Sequence, residues 1–322
     1  MVKKKLMKPI NKEDLITKLG HVAVLKGGIS AEREISLASG AAVFAGLQRL
    51  GFQVSEIDVG NDVVEQIQKL KPDFAFITLH GENGEDGITQ GLLETMGISY
   101  TGSNVLSSAL AMNKVISKQI WCQLKLKTPE YELLNEQSDW DEVIRKLKKA
   151  VVKPISGGSS LGISMTSNAA ELKHYYEKAL DYSSEIFAER CIEGREYSTG
   201  VLGDEVLPTL QLETSRKFFD YEAKYIDSDT RMICPPKLNS EELKELEDLI
   251  LRAYKSLGCR GLARVDVLRE KSGDFYLLEL NTIPGLTKHS FVPSALNAVG
   301  ITYDEMLLKI LQTEVEDLKN EA

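Results

Sequence analysis

The most regular set of side chains capable of chemistry lies in two alternating segments, Arg264-Val-Asp266-Val and Leu278-Glu279-Leu-Asn281, separated by a stretch that includes Arg269-Glu-Lys-Ser-Gly-Asp274. Folded as a hairpin about Ser272-Gly273, they place Asp266 opposite Glu279 and Arg264 opposite Asn281, with all four on one face. Two opposed carboxylates repel, so the pairing calls for a cation. Oxygen ligands of this kind suit Mg²⁺, which commonly takes one or two carboxylates together with substrate phosphates. A solvated face whose charges are neutralised by neighbouring Lys or Arg is the other reading, and the residues alone leave both open.

A second segment, Lys153-Pro154-Ile-Ser156-Gly157-Gly158-Ser159-Ser160-Leu161-Gly162, runs from an apolar strand into a loop of glycines and serines. Glycines let backbone N–H groups approach a phosphate, hydroxyls add donors, and a lysine just before the loop offsets charge. No Gly-Lys-Ser/Thr follows, so it is not a Walker A loop, and a flexible turn is an equal alternative. A third segment, His80-Gly-Glu-Asn-Gly-Glu85-Asp-Gly87, follows an apolar strand, at the sheet edge where open α/β folds place ligands. The same edge carries Gly27-Gly28-Ile-Ser30-Ala-Glu32-Arg33-Glu34, so two polar loops converge there. A single histidine after a strand is also a common structural residue, and that reading stays open beside a substrate pocket.

Elements able to position these loops alternate from about residue 20. The pattern predicts a strand at Val22–Leu25, a turn at Gly27-Gly28, and a helix capped by Ser30 and ended by Gly51. It continues with strands at Val54–Val59 and Phe74–Leu79 and helices at Val63–Leu70 and Thr89–Met96, which describes a parallel α/β unit over residues 20–102. A mixed α+β lobe follows over 103–190, with helices at Lys114–Leu124, Ser138–Ala150 and Ala170–Leu180 and strands at Val151–Pro154, Ile163–Thr166 and Ile186–Glu189. A second lobe occupies 191–322, with strands around Tyr197–Leu202, Val206–Leu212, Leu262–Leu268 and Phe275–Leu280 and helices at Glu241–Leu257 and Tyr303–Leu318. Between them Glu213–Pro236 is polar and aperiodic, a length typical of a functional loop.

Composition narrows the function classes. The 322 residues suit two domains at roughly 150 residues each, or three small ones. Charged residues make up 27% and hydrophobic residues 43%, an ordinary globular balance, and no apolar run reaches the ~20 residues of a membrane span. With 39 Lys and Arg against 48 Asp and Glu the net charge is −9, spread without a basic stripe, which argues against a nucleic-acid partner. Lys3, Lys4, Lys5 and Lys8 precede no apolar signal region and read as solvated, within an N-terminal tail over residues 1–19 to which no role is assigned. The four cysteines are far apart and read as reduced, buried thiols in the cytoplasm.

Taken together, the motifs resemble those of the D-alanine–D-alanine ligase family, a branch of the ATP-grasp enzymes. The likeness covers residues 20–318 and rests on Gly27–Ser36, His80–Gly87, Tyr100-Thr-Gly-Ser103, Lys153–Ser160, Tyr221-Glu-Ala-Lys-Tyr225, Arg264-Val-Asp266, Glu279-Leu-Asn281-Thr-Ile-Pro-Gly285 and His289-Ser290. It implies three domains and the joining of two D-alanines with ATP, for peptidoglycan precursors. By matching position Lys114 and Lys153 would contact ATP phosphates, Glu189 and Glu196 would hold adenine and ribose, and Ser160 and Arg190 would lie at the nucleotide. Asp266, Glu279 and Asn281 would bind Mg²⁺, with Mn²⁺ as a substitute and two ions in all. Glu32 would take the ammonium of the first D-alanine beside His80, and Ser159 and Tyr225 would link Glu32 to the closing loop. Arg264 and Gly285 would stabilise the oxyanion, while Lys224 and Ser290, next to Phe291, would hold the second D-alanine. A homodimer is implied as well.

Departures from the family pattern are few: Arg190 where lysine is frequent, Ser156-Gly157-Gly158 in place of a charged stretch, and Phe291 where leucine is common. Two other readings compete. One is a sibling ligase using D-lactate or D-serine, against which Tyr225 argues for the lactate case. The other is a nucleotide-binding regulatory protein without catalysis, against which the complete metal and oxyanion set argues.

Overall fold

In a computed structural model, described for residues 10–158, 162–213 and 231–321, the chain forms three sheets. The first is parallel and contains β1 (His21–Gly27), β2 (Gln53–Val59), β3 (Phe74–Ile77) and β4 (Ser99–Tyr100) in the order β2-β1-β3-β4. Its crossovers include α2 (Arg33–Leu50), α3 (Val63–Leu70) and α4 (Ile88–Thr95). β3 is buried at every position and β1 nearly so, as expected for a strand covered on both faces.

A second sheet, antiparallel, is made by β5 (Tyr131–Leu134), β6 (Ala150–Pro154), β7 (Ser164–Thr166) and β8 (Ile186–Arg190), ordered β5-β8-β6-β7. Its core joins Leu134, Val152 and Ala188 to Val143 and Leu147 of α7 (Trp140–Leu147) and Leu172 of α8 (Ala169–Ala179). Between the first two sheets run α5 (Val105–Met112) and α6 (Lys114–Gln123).

The third sheet holds β9 (Gly194–Leu202), β10 (Glu205–Glu213), β11 (Arg231–Ile233), β12 (Leu262–Glu270) and β13 (Phe275–Asn281), ordered β11-β10-β9-β12-β13. It packs on α9 (Ser240–Ser256), which starts in a reciprocal cap: the Asn239 side chain accepts from the Glu241 and Glu242 N–H groups while Glu242 accepts from the Asn239 N–H. Two helices, α10 (Phe291–Ala298) and α11 (Tyr303–Glu321), close the described chain. The α/β and α+β architecture expected from the alternation is therefore present. Among the described residues no helix is long and apolar enough to cross a membrane.

Several local expectations are corrected. The tail assigned to residues 1–19 contains a helix, α1 (Lys12–Leu19), capped by Asn11, whose side chain accepts from the Asp14 N–H at 3.1 Å. Leu15 and Leu19 are buried in one core with Val43 and Leu47 of α2 and Leu307, Ile310 and Leu311 of α11, so a helix that follows a lysine-rich stretch is held by a helix almost three hundred residues later. Lys3, Lys4, Lys5 and Lys8 lie outside the described residues.

Ser30 does not cap α2. The helix starts at Arg33, and the Ser30 hydroxyl donates instead to the His80 carbonyl at 2.6 Å. Neither α5, α10 nor β5 shows a clean period, because each is short, and Leu106 of α5 and Leu133 of β5 are apolar yet exposed. The thiols are free, but Cys122 is exposed and the other three are only half-buried, where buried thiols were expected.

Leu19 is 2% exposed within this shared core, so Leu19→Ala leaves a cavity that costs about 2–4 kcal/mol. The expected outcome is a lower urea midpoint for unfolding; an unchanged midpoint would show α1 to be an appendage.

Candidate active site

The hairpin forms in the expected register: Arg264 pairs with Asn281 and Asp266 with Glu279. A bulge then shifts the ladder, so Val267 faces Leu277 and the rungs beyond it lie one residue off the sequence expectation. Asp266 is 2% exposed, and its charge is met by Arg264, whose Nε lies 3.0 Å from Oδ1 and Nη2 2.9 Å from Oδ2. Ser198 of β9 adds a hydrogen bond at 2.6 Å. Across the ladder, Lys114 Nζ stands 3.6 Å from Glu279 Oε2. Both halves of the sequence argument thus hold: the opposed carboxylates exist, and neighbouring cations offset them. Asn281 Oδ1 accepts from the Ile283 N–H at 3.0 Å, which leaves its second lone pair. Three hard oxygen donors on adjacent positions, between an arginine and a lysine, fit a divalent cation shared with phosphate oxygens.

Loops from the other two sheets meet this face. Lys114, the first residue of α6, also donates to the Gly157 carbonyl at 2.5 Å. At the next residue, a side chain on Gly158 would begin 2.5 Å from Glu32 Oε2, and one on Gly81 would begin 3.2 Å from the same oxygen. The Glu32 carboxylate is therefore enclosed by backbone of the glycine loop and of the loop after β3, an approach only glycine permits. The start of α2 is held in turn: Arg33 makes two 2.7 Å bonds to Asp58 at the end of β2, and Ser36 joins the Gly27 N–H to the Thr78 carbonyl.

Two buried titratable groups face Glu32. His80 is pushed down by burial, against the charge of Glu32 and together with that of Arg264, and its ring hydrogen-bonds the Ile283 backbone. This stitches the loop after β3 to the Thr282–Gly285 segment that leaves β13. The Glu85 carboxyl is pushed up to about 8, first by burial and then by Glu32, although the Gly81 N–H donates to it at 2.7 Å.

On the second sheet, Lys153 and Glu189 form an ion pair, and Lys118 of α6 reaches the other Glu189 oxygen at 2.7 Å. Burial alone would raise the Glu189 carboxyl, but the two lysines outweigh it and hold it below the usual carboxylate range. Arg190, the last residue of β8, turns away to Glu270 at 2.7 Å with its guanidinium 5.0 Å from the centre of the Tyr276 ring, tying this sheet to the hairpin. Glu196 stands half-buried on β9, opposite Leu268 and Leu212.

At the far side of the hairpin, Arg264 lies 5.5 Å from the centre of the Phe291 ring, which is buried at the start of α10. Ser290 Oγ accepts from the Thr287 N–H at 3.1 Å and sits so close to Gly285 that a side chain there would begin 2.9 Å from it. Ser159, Ser160, Lys224 and Tyr225 lie outside the described residues.

Family models described as D-Ala D-Ala ligase N-terminus and D-Ala D-Ala ligase C-terminus match residues 61–103 and 120–312. The D-alanine–D-alanine ligase of Saccharophagus degradans is 46% identical over 294 residues, which is 91% of this chain and 94% of that protein. The chain belongs to the D-alanine–D-alanine ligase family. Among solved structures, that of the Bacillus anthracis D-alanine–D-alanine ligase superposes with a TM-score of 0.84 at 35% identity, over 94% of this chain and 99% of that one. A structure of the Bacillus anthracis ligase complexed with ATP gives 0.82 at 33%, with the same shares covered. The ATP-grasp architecture implied by the motifs is thereby shown.

For a ligase of this family, two residues in the site went without a role in the sequence reading. Glu85 was visible inside the His80–Gly87 motif, but only burial beside Glu32 sets it apart from Glu82 and Asp86. Lys118 was visible only as the residue one helical turn after Lys114.

Glu85 holds a proton in the folded chain that the unfolded chain releases near pH 4.5, so between about 4.5 and about 8 stability falls as pH rises. Glu85→Gln is expected to flatten the pH dependence of the unfolding midpoint in that window, and an unchanged slope would show that Glu85 is ionised like a surface glutamate. Gly158→Ala drives a methyl into the Glu32 carboxylate, and the expected result is a loss of about tenfold or more in turnover with the melting temperature little changed. Steady-state rates alongside thermal unfolding check both halves.

Proposed function

We propose that the chain joins two D-alanines to D-alanyl-D-alanine, with ATP converted to ADP and phosphate. The observation that carries this reading is the convergence at one cleft of loops from three sheets: Glu32 enclosed by Gly158 and Gly81, and Lys114 spanning from Gly157 to Glu279. A lone carboxylate is a poor acyl donor. One oxygen of the first D-alanine therefore attacks the γ-phosphorus, ADP leaves, and a D-alanyl phosphate results. The ammonium of the second D-alanine gives a proton to solvent, the amine so formed attacks the acyl carbon, and phosphate departs from the tetrahedral oxyanion as the attacking nitrogen loses its second proton to leave the amide.

Each step assigns work to residues of this chain. Glu32 pairs with the ammonium of the first D-alanine, beside a neutral His80. Lys114 and Lys153 face the nucleotide phosphates, with Ser160; Glu189, Arg190 and Glu196 lie toward the base and ribose. Asp266, Glu279 and Asn281 are the residues that would hold Mg²⁺, which when bound offsets charge on the phosphate oxygens. Arg264 and the Gly285 N–H stabilise the oxyanion, where one donor is worth about 10²–10³ in rate. For this, Arg264 would shift part of its bonding away from Asp266. Ser290, with Lys224, holds the second carboxylate near Phe291, and Ser159 and Tyr225 connect Glu32 to the closing loop. The family likeness supports three functional units over 20–102, 103–190 and 191–322, and a homodimer in the cytoplasm supplying peptidoglycan precursors.

Phosphate release from Mg·ATP with D-alanine, compared with L-alanine and with D-alanine plus D-lactate or D-serine, tests this directly with the product identified by mass. Dipeptide from D-alanine alone is expected, and Glu279→Gln abolishes it. Turnover only with another amine or hydroxy acid would shift the reading to a sibling ligase, and no turnover would favour a regulatory role.

A further inference from the structure

A buried lysine with no direct access to ligand stands behind the nucleotide lysines. Lys118 is 0% exposed, in the middle of α6, one turn beyond Lys114 and on the same helix face. Lys114 points toward the hairpin and the glycine loop; Lys118 points into the second sheet. There it contacts Glu189 Oε2 at 2.7 Å and donates to Thr128 Oγ1 at 2.7 Å. Thr128 in turn donates to the Leu277 carbonyl at 2.8 Å, on the strand that carries Glu279 two residues later.

Stability is by itself a weak reason for a lysine here. Ion pairs taken out of water are often no better than apolar side chains of the same size. A methionine would fill the position and leave Glu189 to pair with Lys153 alone. What the lysine changes is the division of Glu189: Oε2 is held by Lys118, and only Oε1 is left to Lys153. Val151 is directly opposite Glu189 and Lys153 opposite Phe187, so Lys153 and Glu189 are diagonal neighbours, and Lys153 already meets Glu189 through Oε1.

We propose that Lys118 is a positioning residue for the nucleotide: by neutralising and orienting Glu189, it keeps the Lys153 ammonium available to the phosphates of ATP. This rests on the assignment of Lys153 to those phosphates. Without Lys118, Glu189 has Lys153, already its partner through Oε1, as its sole counter-charge, and its hold on that ammonium tightens. The effect falls on ATP binding and leaves the D-alanine sites, built from other loops, as they are.

The test is steady-state kinetics on the full chain with Mg·ATP and D-alanine. Lys118→Met is expected to raise the KM for ATP about tenfold, the loss of one charge-assisted contact, with kcat and the KM for D-alanine within about twofold. In a Glu189→Gln background the same substitution is expected to add less than about twofold, because the charge it offsets is gone. If Lys118→Met does not fold, Lys118→Gln keeps a donor to Glu189 and Thr128 without the charge, and the same rise is expected. A uniform loss of kcat and melting temperature, or an unchanged KM for ATP while Lys153→Met raises it, would reduce Lys118 to a structural residue and overturn the inference. An unchanged KM in Lys153→Met as well would remove its premise by overturning the phosphate assignment.

Discussion

Asp266 is a carboxylate taken almost wholly out of water, and the cost of burying such a charge dictates what surrounds it. Arg264, two residues earlier on the same strand, meets it with two nitrogens, and Ser198 on the neighbouring strand supplies a further donor. With Glu279 directly opposite, the face would be strongly negative without these partners and Lys114. The hairpin is therefore charged but compensated before any ligand arrives. A divalent cation entering with phosphate oxygens would take over part of that compensation and release arginine for other work. The arrangement is poised for exchange of charge partners, which is what a phosphoryl-transfer site requires.

The same constraint organises the edge of the parallel sheet. Glu32 stands at the start of α2, where the helix end favours a negative charge. Around it burial drives Glu85 toward its protonated form and His80 toward its neutral form, with Arg264 close by. A carboxylate placed there is suited to a single ammonium. The contacts that enclose it come from glycines, because any side chain at Gly158 or Gly81 would intrude on the carboxylate.

Between these two centres, α6 acts as the connecting rod. Its first lysine touches the glycine loop and the hairpin, and its second is locked into the sheet that carries Lys153 and Glu189. The helix is anchored at its start by Asn113, whose side chain caps the Ile116 N–H. Through α6 the glycine loop, the hairpin and Glu189 are tied to one another, and the Thr128–Leu277 bond adds a second connection to the same strand.

Much of this was determined by the sequence alone. Strict alternation around Arg264, Asp266, Glu279 and Asn281 specifies a hairpin face, since a one-residue slip would turn every one of those side chains to the other side. The apolar runs of β1 and β3 mark a doubly covered parallel sheet, and the ordered motifs mark the family. Tertiary structure decided the rest, because the missing information lies in contacts between distant segments. α1 carries its own start and stop, Asn11 and Gly20, but only the burial of Leu15 and Leu19 against α11 fixes it to the fold. Ser30 looks like a helix cap, but the helix begins at Arg33 and the Ser30 hydroxyl donates to the His80 carbonyl, fifty residues away. Glu85 and Lys118 are ordinary letters in the chain, and they acquire their chemistry only from the depth at which folding buries them and the charges it sets beside them.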